Sequence, residues 1–527
     1  MTASTLGAGI AQALRSHHVD TVFGIPGVHN VELYRGLTQA GIRHVLARHE
    51  QGVGFMADGY ARATGKPGVA LVISGPGLTN ILTPMAQAYS DSVPMLVISS
   101  CLPRELMRTG RLHQMRDQNA AAASVCEFSH TAHDADSAYT LLNRAFGEFH
   151  QQRARPKHIS VPLDVLSGEP GTPPPPETAK PYPRHDDKAV RGLASLLDGA
   201  QKPLFIFGGG ARHAADVARA LCEKSGAATL TSYAGRGVVA GTAALNFGAM
   251  LADPESAKVI GAADLVLVVG CELAEVDLWR DQLGHTGTLV RIDIDPAVLG
   301  DLHNADVTIL GDAAPLLRAL CDLITAAPAR WDAGRVAAMR ARARARTIAA
   351  RPAIAPLSDA LHGVLPADAL IYSDMTQFAY VAKEIYPLDR PGLWHHPFGF
   401  GTLGYALPAA IGGKIGEPAR AVVAIAGDYG FQYTMAELGV AAELSLCLPV
   451  ILWDNGKLKE IEDNMIAAQI APNAVIAKNP DFATLAKAYG VAYVAPASIN
   501  GFRDAMRAAL QIRGPTIIHV TPVTAGG

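Results

Sequence analysis

Residues 421–455 read AVVAIAGDYGFQYTMAELGVAAELSLCLPVILWDN. An apolar run from Ala421 to Gly427 meets Gly-Asp, passes into a helical AELGVAAELSL pattern, and returns as a second apolar run from Pro449 to Asn455. Continuous apolar runs bounded by Gly and Pro, rather than alternating ones, fit strands buried on both faces, as in a parallel sheet covered by helices. Asp428 and Asn455 then stand at the C-terminal ends of two strands joined by one crossover, the edge where ligands of parallel sheets collect. Hard oxygen donors there suit Mg²⁺, which is held by a few protein oxygens plus phosphate. Asp and Asn also end many strands simply as turn-formers, so this pair alone leaves both readings open.

The same alternation extends outward. VALVIS (Val69 to Ser74), PMLVISS (Pro94 to Ser100), PLFIFGG (Pro203 to Gly209) and LVLVVG (Leu265 to Gly270) read as buried strands, with helical stretches such as QGVGFMADGYARATG as crossovers. Two shifts in composition mark linkers. GEPGTPPPPETAKPYPRHDD (Gly168 to Asp187) is too proline-rich for a helix interior or a central strand, and an Arg/Ala segment ends at RPAIAP. The predicted fold is therefore α/β: three α/β domains, each with a mainly parallel sheet flanked by helices, spanning 1–167, 187–328 and 352–527.

Composition narrows the function. With 45 basic and 48 acidic residues and a net charge of -3, nothing favours nucleic acid or an anionic membrane. The densest basic stretch, RVAAMRARARARTIAAR (Arg335 to Arg351), reads as the solvated face of a linker. Six scattered cysteines form no CxxC pair, which points to a reducing cytoplasm and away from disulfides or zinc. The N-terminus lacks a signal-peptide pattern, and no apolar run approaches the ~20 residues of a membrane span.

Four further motifs occur in order: DTVFGIPGVHN, RHEQGVGFMADGYARATGKPGV, SGPGLTN and, late in the chain, GTLGYALPAAIGG (Gly401 to Gly413). With Gly427-Asp428-Tyr429 and Asn455, and with RIDIDP (Arg291 to Pro296) between, the chain resembles thiamine-diphosphate enzymes of the acetolactate synthase, benzoylformate decarboxylase and pyruvate decarboxylase type along nearly its whole length. The resemblance implies thiamine diphosphate and Mg²⁺ as cofactors and a small 2-oxo acid as substrate. Glu50 would be the carboxyl group that protonates the cofactor's aminopyrimidine ring. Leu403 would prop the cofactor into its bent shape, with Gly401 and the Thr402 backbone against the pyrimidine. Gly427, Asp428, Tyr429 and Asn455 would face the diphosphate, and Asp428, Asn455 and the Lys457 carbonyl would hold the metal. In the family these two sets come from different subunits, which implies a homodimer or homotetramer with active sites between subunits.

Two positions depart from the family pattern. Tyr429 replaces a glycine beside the diphosphate loop, and Asp454-Asn455 replaces Asn-Asn, with Lys457 following. A catalytically weakened relative serving as a binding or regulatory subunit stays open on these grounds. Within the family, FGIPGVHNVELYRGL, QAYSDSVPMLVISS and GRLHQMRDQ resemble the 5-guanidino-2-oxopentanoate decarboxylases. His29, His113 and Gln114 are the candidate groups at the reacting centre, with His395 and His396 weaker ones. A guanidinium substrate favours a carboxylate partner, for which Asp117, Glu462 and Asp463 are candidates. An acetolactate-synthase-like carboligase is the alternative, with FGGGARHA (Gly208 to Ala214) as a turn able to face a flavin phosphate.

Overall fold

The computed structural model describes residues 5–106, 108–176, 186–476 and 478–526. The middle of the proline-rich linker, 177–185, lies outside them. Three wholly parallel sheets follow one another along the chain. The first contains β1 (Thr21–Gly24), β2 (Arg43–Leu46), β3 (Gly68–Val72), β4 (Met95–Cys101), β5 (Phe128–Thr131) and β6 (Lys157–Pro162), in the order β2-β1-β3-β4-β6-β5. The second contains β7 (Pro203–Phe207), β8 (Ala228–Thr231), β9 (Leu265–Val269), β10 (Thr288–Asp293) and β11 (Val307–Leu310), in the order β11-β10-β9-β7-β8. The third contains β12 (Leu370–Ser373), β13 (Trp394–His395), β14 (Val422–Gly427), β15 (Leu448–Trp453), β16 (Ala492–Val494) and β17 (Pro515–Val520), in the order β13-β12-β14-β15-β17-β16.

The first and third sheets therefore share one winding. Each starts at an inner strand, steps outward once, then crosses back and runs the other way, leaving a crevice at the reversal beside the first strand. Strands β3, β4, β6, β14 and β15 are buried at every position; β3, β14 and β15 are apolar throughout, as burial on both faces requires, while β4 and β6 also bury Ser99, Ser100, Lys157, His158 and Ser160. Among the described residues no helix is long and apolar enough to cross a membrane.

One core joins the first and third sheets. Its centre is the crossing of helix Glu50–Thr64 with helix Ala406–Gly416. A Cβ at Gly59 would sit 1.9 Å from the Ala409 carbonyl oxygen, and one at Gly412 would sit 1.9 Å from that of Met56. Glycine at both positions lets the two backbones touch. Beside the crossing, buried Arg62 pairs with Asp58 at 2.6 Å and Asp91 at 2.8 Å, while Tyr405 donates to Asp58 at 2.7 Å. Asp91 also accepts the Gly399 amide at 2.8 Å, so the charges are hydrogen-bonded on both sides.

The Arg/Ala segment differs from its sequence reading as a solvated linker face. It forms helix Ala333–Ala350, capped by the Asp332 carboxylate. Arginines four residues apart share a face of a helix, and here two such faces grip two neighbours. Arg340 donates to the carbonyls of Gly241, Ala243 and Asn246, and Arg344 to Asp359 and the Ile385 carbonyl. Arg346 holds Asp253 in a fork, with Arg342 on Glu255. The expected continuous crossover after β14 is also broken. Helix Asp428–Thr434 starts directly on Gly427, a 3₁₀ turn follows at Met435–Glu437, and helix Leu438–Glu443 completes it.

Two glycine substitutions test this packing in opposite directions. Gly59→Ala should cost about 3 kcal/mol through overpacking at the crossing. Gly192→Ala, in the exposed interior of helix Asp187–Gly199 where a Cβ meets nothing within 4 Å, should stabilise by about 0.5–1 kcal/mol. Denaturant midpoints of both variants check the signs.

Candidate functional site

At the C-terminal edge of the first sheet, the loops after β1, β2, β3 and β4 converge. Glu50 opens helix Glu50–Thr64, and its carboxylate accepts the Asn80 amide at 2.9 Å. Asn80 lies on helix Pro76–Ser90, which starts after β3 at Gly75. His29, from the loop after β1, pairs its Nδ1 with the Ser74 hydroxyl at 2.9 Å. Its ring meets His113 edge-on, with centroids 4.8 Å apart. Burial first, and the neighbouring His113 second, hold the His29 imidazole below its ordinary value. His113 adopts φ 61°, a left-handed conformation that a non-glycine residue keeps only when its surroundings enforce it, and its Nδ1 is buried without a hydrogen-bond partner. Gln114 is spent locally, accepting the Gly110 amide at 2.9 Å within its own loop.

A second cluster occupies the matching edge of the third sheet. Asp428 begins its helix at the end of β14, and Asp454 and Asn455 follow β15. The Asn479 amide donates to Asp428 at 2.7 Å and to Asp454 at 3.0 Å, and Gly456 N–H reaches the same two carboxylates at 3.2 and 2.9 Å. Burial first, and Asp454 beside it, hold Asp428 above the ordinary carboxylate range. Asp454 moves the other way: its partial burial is outweighed by hydrogen bonds from His519 and the Gly456 amide. Asn455 donates to Gln377 at 3.1 Å. Two crowded carboxyl groups beside a carboxamide fit a hard divalent cation, which would relieve their repulsion. Among the described residues no three His, Cys, Asp or Glu side chains cluster to hold a metal, so the oxygens of Asn455 and the backbone would have to complete such a set.

The Gly401–Gly404 turn joins this cluster. Gly401 and Gly404 take φ 65° and 85°, and Gly404 N–H donates to buried Asp374 at 2.9 Å. Burial raises the Asp374 carboxyl to about 6 against the amides that bind it. Thr402 Oγ1 turns back to the Leu403 carbonyl at 3.3 Å, and the Leu403 side chain lies near Gly430. A Cβ at Gly430 would stand 2.8 Å from Asp374, so glycine there lets the helix pack against that carboxylate. The half-buried Tyr429 ring instead leans on Tyr433, with centroids 5.9 Å apart.

The other candidates are placed as follows. Lys457 turns its ammonium to Glu462 at 3.0 Å, and Lys459 takes both Glu462 and Asp463. Asp117 caps the helix Gln118–Ala123. All three carboxylates considered for a guanidinium are thus already engaged. His395 and His396 are buried, the latter on Ser373 at 3.0 Å. In the Gly208–Ala214 turn, Gly208 packs against Gly270 and Cys271, Gly210 against Gly270, and Gly209 against Ala234. Asp374, Gln377, Asn479, Asn80 and Glu437 escaped the sequence reading. Glu437 is 1% exposed and accepts the Arg48 and His49 amides at 3.1 and 2.9 Å, a carboxylate from the third domain seated at the N-terminus of the Glu50 helix. The Glu50 and Asp428 clusters share no hydrogen bond among the described residues.

Comparison with known proteins matches three family models to successive parts of the chain. They are the thiamine pyrophosphate enzyme N-terminal TPP binding domain at 4–121, the central domain at 190–320 and the C-terminal TPP binding domain at 374–520. The chain is 44% identical to the probable 2-ketoarginine decarboxylase AruI of Pseudomonas aeruginosa, over 98% of this chain and 94% of that protein. It is 32% identical to the acetolactate synthase large subunit of Parasynechococcus marenigrum, over 97% and 86%. The corresponding figures for the acetolactate synthase isozyme 1 large subunit of Escherichia coli are 29%, 97% and 92%.

Burial pushes the Glu437 carboxyl up to about 7 despite its two amide donors. The unfolded chain loses that proton near the ordinary glutamate value of about 4.3, so between there and about 7 the folded state binds more protons. Wild-type stability should therefore fall, relative to Glu437→Gln, as pH rises through this window. Urea midpoints of the two proteins measured from pH 4.5 to 7.5 read the difference directly.

Proposed function

Because the chain belongs to the thiamine pyrophosphate enzyme family and is a thiamine-diphosphate-dependent 2-oxo acid decarboxylase, we propose that its substrate is 2-ketoarginine, 5-guanidino-2-oxopentanoate, that Mg²⁺ anchors the cofactor, and that each active site forms between two copies of the chain in the cytoplasm. Likeness to a decarboxylase of that name along 98% of the chain carries the substrate reading. Bound thiamine diphosphate supplies an electron sink for the loss of CO₂ from a 2-oxo acid.

The chain's own residues do the rest. Glu50, kept in place by Asn80, would be the carboxyl group that exchanges a proton with the pyrimidine ring. Gly401, Thr402 and Leu403 shape the seat of that ring, and Gly427 and Tyr429 border the diphosphate. Asp428, Asn455 and the Lys457 carbonyl hold Mg²⁺ against it. His29 and His113 face the reacting carbonyl, with Gln114 ordering the His113 loop, and burial holds the His29 imidazole below its ordinary value. Exposed apolar side chains flank both clusters, Val28 at 71% and Leu112 at 63% on one, Tyr433 at 52% and Ile476 at 73% on the other. Apolar surface of this kind is what a second copy would cover, and it supports a homodimer as the minimum unit, with a homotetramer built from it. Likeness to acetolactate synthases supports a second reading, carboligation, in which a second carbonyl compound captures the product carbon.

A panel of 2-oxo acids assayed for CO₂ release with thiamine diphosphate and Mg²⁺ should show 5-guanidino-2-oxopentanoate preferred over pyruvate, benzoylformate and branched-chain acids. Preference for pyruvate with a longer carbon skeleton as product would favour the carboligase. Glu50→Gln should retain the cofactor but lose at least about 100-fold in kcat. Asp428→Ala should abolish Mg²⁺-dependent cofactor retention, read by equilibrium dialysis.

A further inference from the structure

Behind the Glu50, His29 and His113 groups sits one buried amide that none of the reactions above uses. Gln118 is 8% exposed at the start of helix Gln118–Ala123. Its Oε1 accepts the Gly75 amide at 3.2 Å. Its Nε2 lies within hydrogen-bond reach of the Ser100 carbonyl at 2.9 Å, the Ser99 hydroxyl at 2.8 Å and the Ser160 hydroxyl at 3.1 Å. One side chain thus ties the turn after β3 to the ends of β4 and β6.

Three candidate groups hang on that turn. Asn80, which holds Glu50, rides the helix that Gly75 begins. Ser74, which holds His29, donates its own amide to Ser100 Oγ at 3.1 Å and shares its hydroxyl with the same oxygen at 3.3 Å. The His113 carbonyl lies so near Gly75 that a Cβ there would stand 2.5 Å away, so the His113 loop packs directly on the turn. The far side is braced as firmly: Ser99 pairs with buried His158 at 2.7 Å, and His158 pairs with Ser129 at 2.6 Å.

We propose that Gln118 is a positioning residue that keeps Glu50, His29 and His113 in mutual register by clamping the Gly75 turn to the first sheet. The assignment of those three groups rests on the decarboxylase reading; the clamp itself does not. A displacement of about 1 Å at reacting groups costs on the order of 100-fold in rate, so a loosened turn acts on turnover well before it unfolds the domain. Gln118→Glu keeps the acceptor for Gly75 but sets a carboxylate oxygen against the Ser100 carbonyl. Gln118→Met removes every bond at similar volume.

The test uses histidine-labelled protein without cofactor or substrate. In both variants the ring signals of His29 and His113 should move, while that of His395, buried in the third domain, stays. Ser100→Ala, a milder change, should move His29 and leave His113. In the loaded enzyme, kcat should fall at least about tenfold in Gln118→Met, and less in Gln118→Glu, with KM for the oxo acid within about threefold. Unmoved His29 and His113 signals in these variants, with only the melting temperature lowered, would overturn the proposal and leave Gln118 as packing. Moved signals in a protein whose wild type releases no CO₂ from any oxo acid would instead uphold the clamp and remove the decarboxylation of those acids.

Discussion

No side chain fits between helices Glu50–Thr64 and Ala406–Gly416 where they cross, because each places glycine against the other's backbone. That contact fixes the first and third sheets as one body around a shared core. Glu50 and the Gly401–Gly404 turn lie at the starts of, or just before, these two helices, so the geometry of both clusters is inherited from one crossing. The Asp58–Arg62–Asp91 network and the Glu437 carboxylate at the N-terminus of the Glu50 helix repeat the tie at two further points. Such ties are costly to break, since each leaves a buried charge unpaired.

The common winding of the two sheets gives them equivalent crevices with opposite chemistry. In the first, the loops carry imidazoles and a carboxyl suited to moving protons. In the third, they carry carboxylates, carboxamides and turning backbone amides suited to a metal and an anion. The central sheet and its arginine helix contribute neither set. Arg340 and Arg346 spend their charge on holding the arginine helix to the central domain, and Arg344 on holding it to the third.

The sheets were legible in sequence because strands buried on both faces must be apolar throughout, as in Val422–Gly427 and Leu448–Trp453. Asp428 and Asn455 were legible because strand ends are fixed once the strands are. Asn479, Gln377 and Glu437 were not, since each reaches the clusters by long-range packing that no local pattern records. Likewise the Arg/Ala segment carries the composition of a solvated linker, and only the placement of Asp253, Asp359 and the carbonyls around Gly241 turns its arginines into fasteners.

The central claim is that a working site needs the Glu50 cluster of one copy and the Asp428 cluster of another. Subunit complementation tests it most directly: inactive Glu50→Gln and Asp428→Ala proteins are dissociated, mixed in equal amounts and reassembled. Random pairing in a two-fold dimer makes half the molecules mixed, each with one intact site, so about one quarter of wild-type turnover should return. Activity that stays at the level of the separate variants, in a mixture shown to have exchanged subunits, would contradict the account and place both clusters in a site within one chain.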